Sequence, residues 1–418
     1  MNHSTRQGKR RLLFYTLFLA YICAGIVSIL PGPTLPILAQ HTGVALAVAG
    51  WAFTAGATGF MAGVAIAGVM VGRIGPKYVL MSGLAIMTCT GIVIPWTHVF
   101  LVLLGAQFVA GLGFGFLDVS INIIVTLNFE DTLGETLNNL HSSYGIGALL
   151  APLVLSLALQ VAHEAIWAYL TGSLMGLACI FLLIRQRIPT VPGRNEAAQQ
   201  QGAPTSTAVF GQALLWLMAL QMGLYVGAEV GFSSWIVTAV SQSALIALAL
   251  AAPSATAFWA GMTMGRLLGA QALKRGILSE KQLLYLSMLG GGASGLIVAA
   301  FVQHVGVSFG ASLLAGLFFG PIFPGVMAIA SRWFVHALGA VSSVMLISAG
   351  AAGMILPVLM GFLIADIGFS WVMAIPALVC LAIVVPFSLA LGKQRHVFHA
   401  LPPSGQWQAP DETSVPRR

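Results

Sequence analysis

Apolar stretches of about 20 residues or more, parted by short polar turns, follow one another from Leu12 to Gly392 and leave little other sequence between them. A helix needs about 20 such residues to cross the ~30 Å hydrocarbon layer of a bilayer. Read this way, the chain contains twelve crossings, at roughly 12–39, 44–72, 78–95, 98–127, 136–160, 164–184, 209–240, 244–272, 282–303, 306–331, 338–365 and 368–392. Composition excludes a soluble alternative. Hydrophobic residues make up 58% of the chain and charged residues 7%, where soluble domains carry about 25% charge. The expectation is an all-α polytopic membrane protein of 12 transmembrane helices.

The basic residues give the orientation. Arg6, Lys9, Arg10 and Arg11 precede the first crossing, which is too long and too well followed by others to be a cleaved signal peptide. Numbering the loops alternately places Arg73 and Lys77, Arg185, Arg187 and Arg194, Arg266 to Lys281, Arg332, and Lys393 to Arg418 on the same side as the N-terminus. The opposite loops hold only histidines and acids such as Glu164 and Asp366. Both termini are therefore expected in the cytoplasm, with the chain in the cell (plasma or inner) membrane. The net charge of +7 thus reflects topology, and no nucleic-acid partner is implied.

Internal echoes indicate a duplicated six-span unit. Gly111-Leu-Gly-Phe-Gly115 recurs as Gly316-Leu-Phe-Phe-Gly320, and Gly145 and Pro152 match Gly350 and Pro357, all at one common separation along the chain. A second echo runs from Gly68 through Gly72 to Arg73 and again from Gly261 through Gly265 to Arg266. These divide the chain into residues 1–184 and 209–392, two pseudo-symmetric six-helix bundles. A polar 185–208 segment rich in Pro, Gln and Gly joins them as a cytoplasmic linker, and residues 393–418 are expected to form a disordered tail.

Within the fourth crossing, Gly111, Gly115, Asp118 and Asn122 fall at i, i+4, i+7 and i+11, which makes one side small and polar. The fifth repeats the device with Asn138, His141, Ser142 and Gly145. Of the 11 acids, only Asp118 and Glu229 lie deep within expected crossings, and no Lys or Arg is expected at that depth. An ionised acid at the bilayer centre costs about 2.5–3.5 kcal/mol, so each must carry a proton or face water in a protein-lined cavity. That makes both candidate proton-coupling groups. Gly68, Gly72, Gly261 and Gly265 read as helix-contact sites, and Arg73 and Arg266 as cytoplasmic gate charges. Cys23, Cys89, Cys179 and Cys380 lack metal-ligand spacing. With no nucleotide loop, metal-ligand set or nucleophile with base and orienter, neither an enzyme nor a cofactor is expected.

Two six-span halves, a central linker, and the turn carried by Gly68, Arg73, Gly75 and Lys77 resemble the major facilitator superfamily of secondary transporters. Asp118 and Asn122, the Tyr225-Val-Gly-Ala-Glu229 piece, and Ser342-Ser343 with Pro357 to Gly361 resemble its fucose/galactose/glucose:proton symporter branch. This chain departs from the pattern in two places. Gly72 stands where an acid usually precedes the arginine, and Cys23 to Pro36 contain no acid.

The resemblance implies alternating access and a sugar-like solute as partner, alongside protons and the lipid bilayer, with the chain acting as a monomer. Asp118 would bind the coupling proton. Asn122, Asn138, Asn139, His141, Gln221, Tyr225 and Glu229 would line the cavity and hydrogen-bond the solute, with Trp235 offering an aromatic face. A proton-driven drug or metabolite exporter, a uniporter, and a non-transporting solute sensor on the same scaffold remain open alternatives.

Overall fold

A computed structural model describes residues 3–129, 133–186, 188, 211–334 and 338–399. The greater part of the linker, the tail from residue 400, and the loop acids Glu130 and Asp131 lie outside the described residues. The described chain is helical almost throughout and contains no strand. Ten helical runs are long and apolar enough to cross a membrane. One of them, 53 residues from Val341 to Lys393, turns back at Gly368 (φ 75°) and so crosses twice. The 22-residue helix Pro253–Lys274 supplies the remaining crossing, its hydropathy lowered by Thr256, Thr263 and Arg266. The twelve expected crossings are all present.

In chain order the first six are His3–Ile29 continued by Pro31–Thr42, Leu46–Ala49 continued by Trp51–Ile74, Pro76–Trp96, Phe100–Asn128, Leu133–Val161 and Ile166–Arg185. The seventh to tenth are Ala213–Ala244, Leu248–Ala251 continued by Pro253–Lys274, Glu280–Ala300, and Val305–Phe319 continued by Ile322–Trp333. The helix Leu338–Ala382, folded at Gly368, and Val384–His399 complete the eleventh and twelfth. Within the first half, crossing one packs on five, two on four, and three on four and six; the second half repeats the pattern as seven on eleven, eight on ten, and nine on ten and twelve.

Backbone details repeat as well. Gly43 (φ 66°) and Leu245 (φ 55°) close the first and seventh crossings in left-handed conformations. His163 (φ 59°) and Gly368 (φ 75°) do the same at the turns after the fifth and eleventh. These two pairs of turns fix which positions correspond. Thr256 stands as far past Leu245 as Thr54 stands past Gly43, and Leu149 as far before His163 as Met354 before Gly368. The matched residues join the halves in matching ways: Thr54 Oγ1 donates to the Met354 carbonyl at 2.9 Å, and Thr256 Oγ1 donates to the Leu149 carbonyl at 3.2 Å.

The same correspondence corrects one of the echoes. Gly261 and Gly265 lie against Leu313 and Leu317 of the tenth crossing, as Gly59 and Gly63 lie against Phe108 and Leu112 of the fourth. A side chain added at Gly68 or Gly72 would meet nothing within 4 Å, so neither is a helix-contact site. Arg266 is thus the spatial counterpart of Val64, within the bundle, and not of Arg73 at the helix end. The expectation that both arginines are equivalent gate charges fails, because a small-x-x-x-small pattern marks any helix contact and carries no register of its own.

Among the described residues, the contacts between the halves concentrate toward the face remote from the N-terminus. There Gly32 approaches the Ser234 backbone, Phe53 meets the Trp235 ring at 6.2 Å, Trp51 meets Phe362 at 6.3 Å, and Ser156 Oγ donates to the Ala249 carbonyl at 2.6 Å. This seam is closed by small residues, rings and hydroxyl-to-carbonyl bonds. On the opposite side Thr126, Asn139, His141, Ser142 and Arg266 are exposed. The molecule is therefore open toward the face that carries its N-terminus.

A candidate transport site between the two halves

Three crossings converge on the first acid. Asp118 projects from the fourth crossing toward the first, where Tyr21 donates its hydroxyl proton to Oδ1 at 2.8 Å. Asn122, one turn further along, donates to the Asp118 backbone carbonyl at 2.8 Å and also reaches the Tyr21 hydroxyl. His141 of the fifth crossing lies 5.3 Å from the Tyr21 ring, centroid to centroid, within electrostatic reach of Asp118. Asp118 therefore points into the protein, half-buried among polar side chains, and not at lipid.

The second acid stands on the seventh crossing, where Gln221, Tyr225 and Glu229 form one stripe at i, i+4 and i+8. The Tyr225 ring packs near Phe319 and Phe323 at 6.0 and 6.5 Å, and its hydroxyl turns toward Glu229 without closing a hydrogen bond of ordinary geometry. Gln221 is fully buried, and neither atom of its amide has a protein partner among the described residues. Leaving such a group unpaired costs about 1–3 kcal/mol, so this face is built to satisfy something polar. Arg266 faces Glu229 electrostatically, although its guanidinium rests on the Met262 thioether at 3.4 Å. A basic side chain does reach the depth of the acids, contrary to the sequence expectation.

Tyr144 connects the two groups. It is within electrostatic reach of Asp118, Glu229 and Arg266 together, and its hydroxyl lies 3.0 Å from Ser28 Oγ of the first crossing. Nothing in the local sequence marks Ser28 or Tyr21 as site residues; only the neighbouring helices do. Tyr144 falls one turn after His141, on the polar stripe already recognised there, and that was the available signal.

The remaining site expectations divide. Asn139 and His141 face the opening, while the Asn138 side chain lies outside the described residues. Trp235 does not offer a free ring. It is fully buried in the closed seam, where Nε1 donates to the Pro357 carbonyl at 2.8 Å and the ring abuts Gly361 and Gly50. Its place is the gate, because the seventh crossing carries it nearly two turns beyond Glu229 toward the closed face. Arg73 is exposed at the end of the second crossing, remote from both acids.

Known proteins resemble the chain in sequence and in fold. The chain is 25% identical over 369 residues to the sodium-dependent glucose transporter 1 of Xenopus laevis, covering 79% of this chain and 72% of that protein. It is 27% identical over 339 residues to a glucose/galactose transporter of Brucella abortus, covering 77% and 80%. Its fold matches the crystal structure of a bacterial homologue of the human lysosomal transporter Spinster, in an inward-facing and unoccupied conformation, with a TM-score of 0.71 and 13% identity over 95% of this chain and 99% of that one. The family model of the Major Facilitator Superfamily matches residues 17–299 and 240–412, and the chain belongs to that superfamily.

Proposed function

We propose that the protein is a secondary transporter that moves a sugar across the cell membrane by alternating access, with Asp118 as the proton-coupling residue. The observation that carries this reading is the Tyr21–Asp118 hydrogen bond, which joins the first and fourth crossings beside exposed His141. An acid held by a neutral donor, beside exposed His141 and away from any basic partner of its own, can gain and lose a proton without breaking the helix contacts around it. The glucose and galactose named for the relatives supply the solute class. Asn122, Asn139, His141 and Glu229 would contact the solute, and Gln221 and Tyr225, fully buried on the seventh crossing, would reach it only as the halves move. Glu229 and Arg266, which face each other without pairing, would hold its hydroxyls from the second half.

Residues 1–184 and 209–392 act as the two rocking bodies, joined by 185–208. The basic loops on the side of the N-terminus support cytoplasmic termini, and the open face would then be the cytoplasmic one.

The test is uptake of radiolabelled glucose, galactose and mannose into proteoliposomes with an imposed inside-alkaline gradient. Asp118→Asn keeps an acceptor for Tyr21 but cannot titrate. It is expected to abolish gradient-driven accumulation while sparing equilibrium exchange; full accumulation by this variant would exclude Asp118 as the coupling group. A second reading, coupling to sodium, is favoured by the sodium dependence named for the Xenopus laevis relative. A sodium gradient that drives uptake with no pH gradient would select it.

A further inference from the structure

Beside the Tyr21–Asp118 pair runs a wall of aromatic rings that the sugar reading does not yet use. Phe60 of the second crossing lies 5.1 Å from Phe114 of the fourth, and Phe114 lies 5.5 Å from Tyr144 of the fifth with the rings within 15° of parallel. Phe114 stands one turn before Asp118 and Tyr144 one turn after His141, so the rings occupy the same helix faces as the polar groups. All three are half-buried. The second half treats the equivalent position differently: Phe319, which fills the place of Phe114 in the repeated glycine motif, is fully buried against Phe258 and Tyr225. The first half thus leaves this group of rings partly exposed, where the second half covers the matching ring with protein.

The hydrogen bonding of Tyr144 adds a polar requirement. Ser28 has one hydroxyl proton, and it goes to the Ala24 carbonyl at 2.7 Å. In the 3.0 Å contact between Ser28 and Tyr144, the phenol must therefore be the donor. Its oxygen keeps lone pairs and has no proton left to offer, so it can only accept. An apolar ring face with an acceptor at its edge and a carboxylate one turn away complements a pyranose, which has C–H groups on its faces and hydroxyl donors around its rim.

We propose that Phe60, Phe114 and Tyr144 form the stacking wall of the sugar site, with the Tyr144 oxygen accepting from a substrate hydroxyl. This rests on the sugar reading above and assigns the wall to the first half, in place of the Trp235 face expected from sequence. It selects ring sugars over open-chain polyols of the same carbon number, because an acyclic chain presents no flat C–H face.

Binding to the purified full-length protein in lipid nanodiscs, measured by equilibrium dialysis with radiolabelled glucose and sorbitol, tests it. Phe114→Leu keeps the volume and removes the ring; it is expected to weaken glucose binding about three- to tenfold and leave sorbitol unchanged. Tyr144→Phe keeps the ring and removes the acceptor, and is expected to weaken glucose about two- to tenfold. Thermal melting of each variant separates loss of fold from loss of the wall, and Tyr144→Phe, which deletes a single oxygen, decides if Phe114→Leu fails to fold. Unchanged glucose affinity in a folded variant that should lose it overturns the wall and leaves the sugar reading standing. A wild-type protein that binds no glucose, galactose or mannose overturns the sugar reading, and the wall with it.

Discussion

A glycine's importance in this chain depends on what its missing Cβ would strike. A methyl group at Gly59 would land on the Phe108 carbonyl and one at Gly111 on the Gly56 carbonyl, which forces the second and fourth crossings apart. Overpacking of this kind costs about 1–3 kcal/mol. Gly59→Ala and Gly111→Ala are therefore expected to lower the melting temperature of the detergent-solubilised protein, whereas Gly68→Ala and Gly72→Ala, which meet nothing, should leave it unchanged or slightly higher. Equal effects at all four positions would contradict the packing described here. Arg266 makes the same point with charge. An arginine two turns inside a crossing is tolerated because it faces Glu229 and the opening, not lipid.

At the scale of helices, the closed seam is held by two related hydrogen bonds, Thr54 to Met354 and Thr256 to Leu149, that join the second crossing to the eleventh and the eighth to the fifth. Each bond contributes about 1 kcal/mol, or roughly fivefold in the balance between closed and open seams. Thr54→Val and Thr256→Val keep the shape and remove the donor. Each is expected to shift the population toward a form with the seam open, and the double variant to add the two effects, since the sites share no partner. Spin labels at the outer ends of the second and eleventh crossings would report this as growth of a longer distance. No change in the double variant would mean that the rings of Phe53, Trp51 and Trp235, with the Ser156–Ala249 hydrogen bond, hold the seam.

At the scale of the whole molecule, the halves meet on one face and part on the other, so chemistry applied from the two sides should differ. Asn139→Cys is expected to react with a membrane-impermeant thiol reagent from the side carrying the N-terminus and to be protected from the opposite side. Sided labelling in inside-out and right-side-out vesicles measures it. Labelling from the opposite side alone would reverse the assignment of the open face. The side carrying the N-terminus is also where an ion pair among the described residues lies, between Arg332 and Glu280 at facing ends of the tenth and ninth crossings. It is exposed and ties neighbours within one half, so it contributes little and does not hold the two halves together.

The number of crossings, their polar stripes and the side of the basic loops were legible because each depends on local composition: a segment's hydropathy decides whether lipid accepts it, whatever its neighbours are. The two acids were legible for the same reason, as costs that no lipid-facing residue can bear. What tertiary structure alone decided is which groups meet. Tyr21 becomes the donor to Asp118 because the first crossing packs against the fifth and lies alongside the fourth. Arg266 enters the site because Gly261 and Gly265 fix the eighth crossing against the tenth in a register that matches Gly59 and Gly63, not the Gly68 and Gly72 of the sequence echo. Trp235 leaves the site because its helix carries it into the seam. Helix contacts in a membrane are made by small residues that recur all along these crossings, so their pattern tells that helices touch, and only packing in three dimensions tells where.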